Sequence, residues 1–167
     1  MTDDITPDPN ETTDLSGQIQ DFDHYLEVDA PTRFKLWGRV WVVHPVAQRT
    51  VADPDTKPNK IAAARERVAK TGLAAAAAIN ALGEVQERYR ADIGDAKVGK
   101  QLDAALALQN KRVNERRDAV VAFIGLVVDD PAEWARLAEE QDPLPITTAM
   151  SILGVTIDGL DATRPFT

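Results

Sequence analysis

The spacing of apolar residues in the first third of the chain is that of a β-hairpin. Between residues 32 and 44, apolar and charged side chains alternate and then give way to a run of strand-forming residues. Trp37 and Gly38 separate the two stretches, and glycine accommodates the left-handed backbone that a tight turn requires. The pattern predicts an antiparallel hairpin over 32–44 in which Phe34 faces Trp41.

Between residues 59 and 128 the spacing changes to that of amphipathic helices. Gly94 and Asp95 interrupt the pattern near its middle, which predicts two long helices joined by a short turn, an antiparallel helical hairpin. Gly72 and Gly83 each mark either a close helix contact or a bend. The first helix carries a seven-residue repeat formed by Ile61, Val68, Ala75, Leu82 and Tyr89.

Two shorter helical patterns follow. Pro131 behind a capping Asp is a strong helix-start signal, because proline fits the first turn. A second short helix begins at Ile146 and is closed by Gly154, which places the C-terminal helices at 131–154. Because an isolated two-stranded ribbon is marginal in water, the β-hairpin must pack on helices or on another chain. We therefore predict a mainly α fold, with a single α-rich domain over 24–167 that contains a long antiparallel helical hairpin, short C-terminal helices and a small antiparallel β-hairpin.

Charge is distributed unevenly along the chain. The 27 acidic and 19 basic side chains give a formal net charge of −8. Seven of the acids and none of the basic residues lie in residues 1–23, so the remainder, with 20 acids and 19 basic residues, is nearly neutral. Such a segment has too little apolar area to offset its ordering entropy, which predicts a disordered acidic arm over 1–23. The mildly basic stretch 57–128 is a candidate internal partner for this arm.

The composition argues against catalysis and against metal binding. The chain has no cysteine, which excludes disulfides, thiolate chemistry and Cys-based zinc sites. Asp21 and Asp23 flank His24, but acidic segments contain Asp by composition alone. His44 ends a predicted strand and has no nucleophile or carboxylate pair to serve as a general base. We therefore expect no enzyme, no metal and no cofactor.

Two classes of non-protein partner are also disfavoured. A nucleic-acid binder needs a stripe of Lys and Arg that replaces counterions on the phosphates, and the overall charge here is acidic. No apolar stretch approaches the ~20 residues that a membrane-spanning helix needs. The sequence thus points to protein partners and leaves the oligomeric state open, a homo-oligomer included.

Tryptophan is concentrated in this aromatic-poor chain. We expect Trp41 and Trp134 to be core anchors. For Trp37, at the hairpin turn, two interpretations are equally supported: core packing, or contact with a partner, since Trp is favoured at binding hot spots. The candidate partner-binding residues are Trp37, Trp41, Ala75, Ile79 and Leu82.

The element order and two short motifs resemble one protein family. Behind an acidic leader come a ribbon, Phe34-x-Leu36-x-Gly38-x-x-Trp41-x-Val43, and a later Asp129-Asp130-Pro131-x-x-Trp134-x-x-Leu137. This arrangement is similar to the tail assembly chaperones of long-tailed bacteriophages of actinobacteria. The helical hairpin at 59–128 is longer than the resemblance implies.

The resemblance implies a non-enzymatic protein of the host cytoplasm that keeps the tape measure protein soluble until tail tube subunits polymerise around it. It also implies a frameshifted longer form, and it brings no catalytic residue. An alternative is a structural virion subunit, a head–tail or capsid accessory protein that acts through protein–protein contacts and stays in the particle. An enzyme or small-molecule regulator would need a deep pocket with convergent polar groups.

Overall fold

A computed structural model describes residues 32–45 and 58–161 of the chain. Its elements are, in order, β1 (Thr32–Leu36), β2 (Arg39–Val43), α1 (Pro58–Ala91), α2 (Ala96–Val127), α3 (Pro131–Glu140) and α4 (Ile146–Asp161). The described part is mainly α with one two-stranded antiparallel sheet, which confirms the predicted fold class. The predicted acidic arm at 1–23, His24 and residues 162–167 lie outside the described residues.

The β-hairpin has the predicted register. Phe34 pairs with Trp41, and the strands run from Thr32 opposite Val43 to Leu36 opposite Arg39. Trp37 and Gly38 form the turn with φ angles of 52° and 72°. Two successive left-handed residues match the right-handed twist of the strands, but a Trp in this conformation is strained. The packing of the Trp37 ring on Trp134 helps to hold that conformation.

The two long helices form the predicted antiparallel hairpin, and α1 packs chiefly on α2. Gly72 lies against Arg116, and a Cβ there would make an ordinary van der Waals contact, 3.6 Å from Nε of Arg116. A Cβ at Gly83 would have no neighbour within 4 Å, so a close helix contact requires glycine at neither position. Asp95 begins α2 by accepting the backbone N–H of Lys97 at 2.7 Å.

The hydrophobic core lies at one end of the helical hairpin, where α1 begins and α2 ends. The β-hairpin is attached there by a bridge between Val43 and Val128 and by the N–H of Asp129, which donates to the Val42 carbonyl at 3.0 Å. Side chains from both strands, α2 and α4 are completely or almost completely buried in this core: Phe34, Trp41, Val43, Val120, Phe123, Ile124, Val127 and Ile152. We call this region the core end.

Among the described residues, the rest of the helical hairpin is formed by α1 and α2 packed chiefly on each other. Between Gly72 and Asp118 the buried residues are all on α1, namely Ala75, Ala78, Leu82 and Val85. Alanines allow the helices to approach closely but bury little apolar area, so packing contributes less stability here than at the core end. We call residues 72–118 the outer arm.

The last helix is longer than predicted. α4 does not end at Gly154 but continues to Asp161, so the C-terminal helices span 131–161 rather than 131–154. Gly154 is exposed and keeps a negative φ, while Thr156 and Leu160 continue the buried face. The Thr156 hydroxyl donates to the Ile152 carbonyl at 2.7 Å, which satisfies this polar group inside the core.

Candidate interaction surfaces

No three His, Asp or Glu side chains in ranges 32–45 and 58–161 cluster as a metal site would require. In the same ranges, no helix has both the length and the apolar character of a bilayer span. The charged cluster at 111–118 is largely paired with itself, because Arg112 contacts Glu115 at 2.8 Å and Arg117 contacts Asp118 at 2.9 Å.

Asp130 joins the β-hairpin to α3. Its Oδ1 accepts the backbone N–H of Glu133 at 3.1 Å and so caps α3, while its Oδ2 accepts Nη2 of Arg39 at 3.0 Å. The Glu133 N–H and, after it, the Arg39 guanidinium favour the ionised carboxylate and hold the pKa of Asp130 below its usual range. Arg39 also lies 4.6 Å from the centroid of the Trp41 ring. We call these contacts of Asp130 with Arg39 and Glu133 the joint. The joint holds the hairpin turn beside the start of α3.

The three tryptophans meet at this joint. The Trp134 ring centroid lies 5.0 Å from that of Trp37 and 5.1 Å from that of Trp41. Trp41 and Trp134 are buried and both indole N–H groups donate to backbone carbonyls, that of Trp134 to Val121 at 3.1 Å and that of Trp41 to Leu36 at 3.2 Å. Both are therefore core anchors, as predicted.

An open cleft of about 540 Å³ lies beside this cluster, between the hairpin turn, α2 and α3. We call it the Trp cleft. The half-buried Trp37 packs on Trp134 and also lines this cleft, so it contributes to packing and is still accessible, while its contact with a partner stays a prediction. Its apolar lining includes Trp37, Val121, Ala122, Gly125, Trp134 and Ala138.

The charged groups that line the Trp cleft are mainly acidic. Arg117 and Asp118 neutralise one another, since the guanidinium donates twice to Asp118 Oδ1. Glu139 and Asp142 are exposed and form no ion pair with any residue in the described ranges. The cleft thus combines an apolar floor with an unneutralised acidic rim.

Ile79 and Leu106 form a second, separate surface on the outer arm. Their exposed fractions are 48% and 38%. Ile79 lies about three turns after Val68 and therefore on the face of α1 that packs against the core. Leu106 lies about five turns before the fully buried Ile124, on the same face of α2. The helix faces that are buried at the core end therefore continue onto the outer arm, where Ile79 and Leu106 are exposed to solvent.

The helix register brings these two side chains close together. Gly72 lies against Arg116, so equal steps along the antiparallel helices place Leu106 level with Leu82. Leu82 is about one turn beyond Ile79 on α1. We call Ile79 and Leu106 the arm edge.

The turn between α1 and α2 carries a third surface. Ile93 is 75% exposed, the largest value among the exposed large apolar side chains of the described residues. Four basic residues and two acids lie between residues 88 and 100. We call Ile93 with its basic neighbours Arg88, Arg90, Lys97 and Lys100 the tip patch.

Compared with protein-family models, with curated proteins and with solved structures, the chain matches none of them. Its function is therefore inferred from its residues and from their geometry.

Three of the five predicted partner-binding residues are inaccessible. Trp41 is completely buried in the core, and Ala75 and Leu82, at 1% and 8% exposure, fill the interface between α1 and α2. A partner cannot contact them while the chain stays folded, so they are corrected to structural residues. Trp37 and Ile79 remain accessible, but they belong to different surfaces, the Trp cleft and the arm edge.

Leu106, Ile93 and the acidic rim were not predicted as site residues. The helix lengths could have indicated these exposed positions. α1 and α2 have 34 and 32 residues, whereas α3 and α4 have only 10 and 16. Helices this short cannot cover the full length of the hairpin, so some of its apolar positions face solvent.

Proposed function

We propose that this chain is a non-enzymatic tail assembly chaperone that binds and solubilises the tape measure protein of a phage. The sequence resemblance names the client, and the arm edge supports its mode of binding. The single observation that carries the proposal is that Ile79 and Leu106 continue the buried faces of α1 and α2 onto an uncovered outer arm.

A helix of the client fits this surface. Two antiparallel helices leave a groove along their junction, and an amphipathic helix buries its apolar face in such a groove. At the core end α4 packs against α2 and lines a cavity with Val68 of α1. In the proposed complex, a client helix takes the corresponding place on the outer arm. The small contact area gives moderate affinity, which suits a chaperone that must release its client.

The charge of the chain suits the same role. The net charge of −8 disfavours association between complexes through mutual repulsion, and most of it comes from residues 1–23. The protein would act in the host cytoplasm and be missing from the finished particle. The rival role, a structural virion subunit, differs in that the chain stays in purified particles.

Co-expression with the tape measure protein tests the proposal. Wild-type protein is expected to keep the client in the soluble fraction and to be co-purified with it. The double variant Ile79→Glu/Leu106→Glu should lose both effects, because two charges would face the client's apolar helix. Leu73→Glu is the matched control, since Leu73 is 74% exposed and lies outside the arm edge.

Two results would contradict the chaperone role. If the double variant retains as much client as wild type, the arm edge is not the binding surface. If the chain is present in purified particles and the client is soluble without it, the structural role replaces the proposed one. Circular dichroism of each variant checks that both helices remain folded.

A further inference from the structure

The Trp cleft and the tip patch are complementary in both apolar character and charge. The cleft has an apolar floor formed by Trp37, Trp134 and small residues of α2, with Glu139 and Asp142 unpaired on its rim. The tip patch has one highly exposed Ile and, near it in sequence, four basic residues against two acids, with Arg90 paired to Glu87 at 2.8 Å. A surface with an apolar centre and a charged rim is the usual anatomy of a protein interface.

One molecule cannot bring these two surfaces together. The cleft contacts α2 from Arg117 to Leu126, whereas Ile93 lies just before the first residue of α2. At the rise of an α-helix, the intervening residues separate the surfaces by roughly 30–45 Å. α2 is a continuous helix, so any contact between them must be made by two molecules.

We propose that a second copy of this chain inserts its tip patch into the Trp cleft. Ile93 packs on the rings of Trp37 and Trp134, and the basic residues of the tip lie beside Glu139 and Asp142. The acidic arm of residues 1–23 is a poor occupant of the same cleft, because its charge has the sign of the rim. The inference does not depend on the identity of the client in the proposed function.

The geometry makes the contact heterologous. Each molecule uses its tip on one neighbour and its cleft on another, so association continues from head to tail. A helix turn in a cleft of about 540 Å³ makes a small interface, and the net charge of −8 opposes it. We therefore expect weak, reversible, concentration-dependent association.

Sedimentation equilibrium of the purified full-length chain tests this proposal. The weight-average mass of wild type should rise above that of the monomer with increasing concentration. Ile93→Glu places a charge on the apolar residue of the tip patch, and Glu139→Lys/Asp142→Lys reverses the charge of the cleft rim. Each of these two variants, the blocked variants, should remain monomeric. Their controls are Leu73→Glu, which places the same charge on another exposed apolar position, and Glu84→Lys/Asp103→Lys, which makes the same charge change outside the cleft. Both controls should associate as wild type does.

Mixing the two blocked variants gives the decisive result. The Ile93→Glu protein retains an intact cleft, and the rim variant retains an intact tip, so an equimolar mixture should form a heterodimer that cannot grow further. The proposal is wrong if wild type stays monomeric at every concentration, if either blocked variant associates like wild type, or if the mixture stays monomeric. Because these measurements contain no client, their outcome is separate from that of the chaperone test.

Discussion

Gly125 determines how closely α3 can approach α2. A Cβ at this position would lie 2.6 Å from Cδ1 and 3.0 Å from Nε1 of Trp134. The indole cannot retreat freely, because it also packs on Trp37 and Trp41 and donates to the Val121 carbonyl. We expect Gly125→Ala to destabilise the protein by about 1–3 kcal/mol through overpacking, measured by urea unfolding.

Gly154→Ala is the matched control for this substitution. A Cβ at Gly154 would meet no atom within 4 Å, and the residue lies inside α4. Alanine should therefore stabilise the protein by about 0.5–1 kcal/mol through higher helix propensity. If both substitutions change the free energy of unfolding in the same direction, the close contact at Trp134 does not govern the packing of α3.

Asp130 makes the stability of the joint depend on pH. Its folded-state pKa lies below the ordinary value of 3.8, first because Glu133 N–H donates to it and then because Arg39 is close. A lowered pKa contributes stability that is present above the ordinary value and is lost as the pH falls through the folded-state value. We expect wild type to be more stable than Asp130→Asn near neutral pH and this advantage to shrink below pH 3.8.

Denaturant unfolding at a series of pH values measures this difference. Asn keeps an acceptor for the Glu133 N–H, so the substitution removes the charge while preserving the helix cap. Asp103→Asn, an exposed change on α2, controls for general effects of removing an acid. A wild-type advantage that stays constant down to the acid transition would exclude Asp130 as a source of the pH dependence.

At the scale of elements, local patterns were sufficient for the β-hairpin and for the paired long helices. The Trp37–Gly38 turn fixes the strand register, so the pairing of Phe34 with Trp41 follows from nearby residues alone. The end of α4 could not be predicted in this way. Gly154 would stop a helix in isolation, but Thr156 and Leu160 have buried places in the core, and that packing extends the helix.

The outer arm and the core end should differ in local stability. Both include part of α2, whose buried residues all lie between Ala119 and Val127. In the described part of the chain, the earlier residues of α2 pack chiefly on α1. Local opening costs less free energy where few apolar contacts must be broken. Hydrogen exchange measured by mass spectrometry should therefore show faster exchange in residues 96–118 than in 119–127. Equal protection along α2 would show that the hairpin opens as one cooperative unit.

At the scale of the whole molecule, the sequence predicted the fold better than it predicted the surfaces. A seven-residue repeat identifies the face of α1 that carries apolar residues, but not how much of that face is covered. Ala75 and Leu82 are buried by α2, while Ile79, between them, is left uncovered. The Trp cleft is formed by residues far apart in the chain, so only the assembled fold brings Trp37 beside Glu139 and Asp142.

Net charge is also a property of the whole molecule. Deleting residues 1–23 removes seven acids and no basic residue, which changes the formal charge from −8 to −1 and leaves 20 acids with 19 basic residues. Molecules close to zero net charge repel each other weakly, so we expect the shortened chain to be less soluble than wild type at neutral pH and low ionic strength. Precipitation with increasing concentrations of polyethylene glycol measures this difference.

A full-length variant separates the effect of charge from that of chain length. Replacing the seven acids with Asn or Gln keeps all 23 residues and should lower solubility as much as the deletion does. Reordering residues 1–23 without changing their composition should leave solubility at the wild-type value, because repulsion depends on charge rather than on sequence. If the neutralised arm is as soluble as wild type, the arm acts through its bulk or its specific sequence. In that case charge repulsion by residues 1–23 does not determine the solubility of this chain, and it gives no support to the proposed chaperone role.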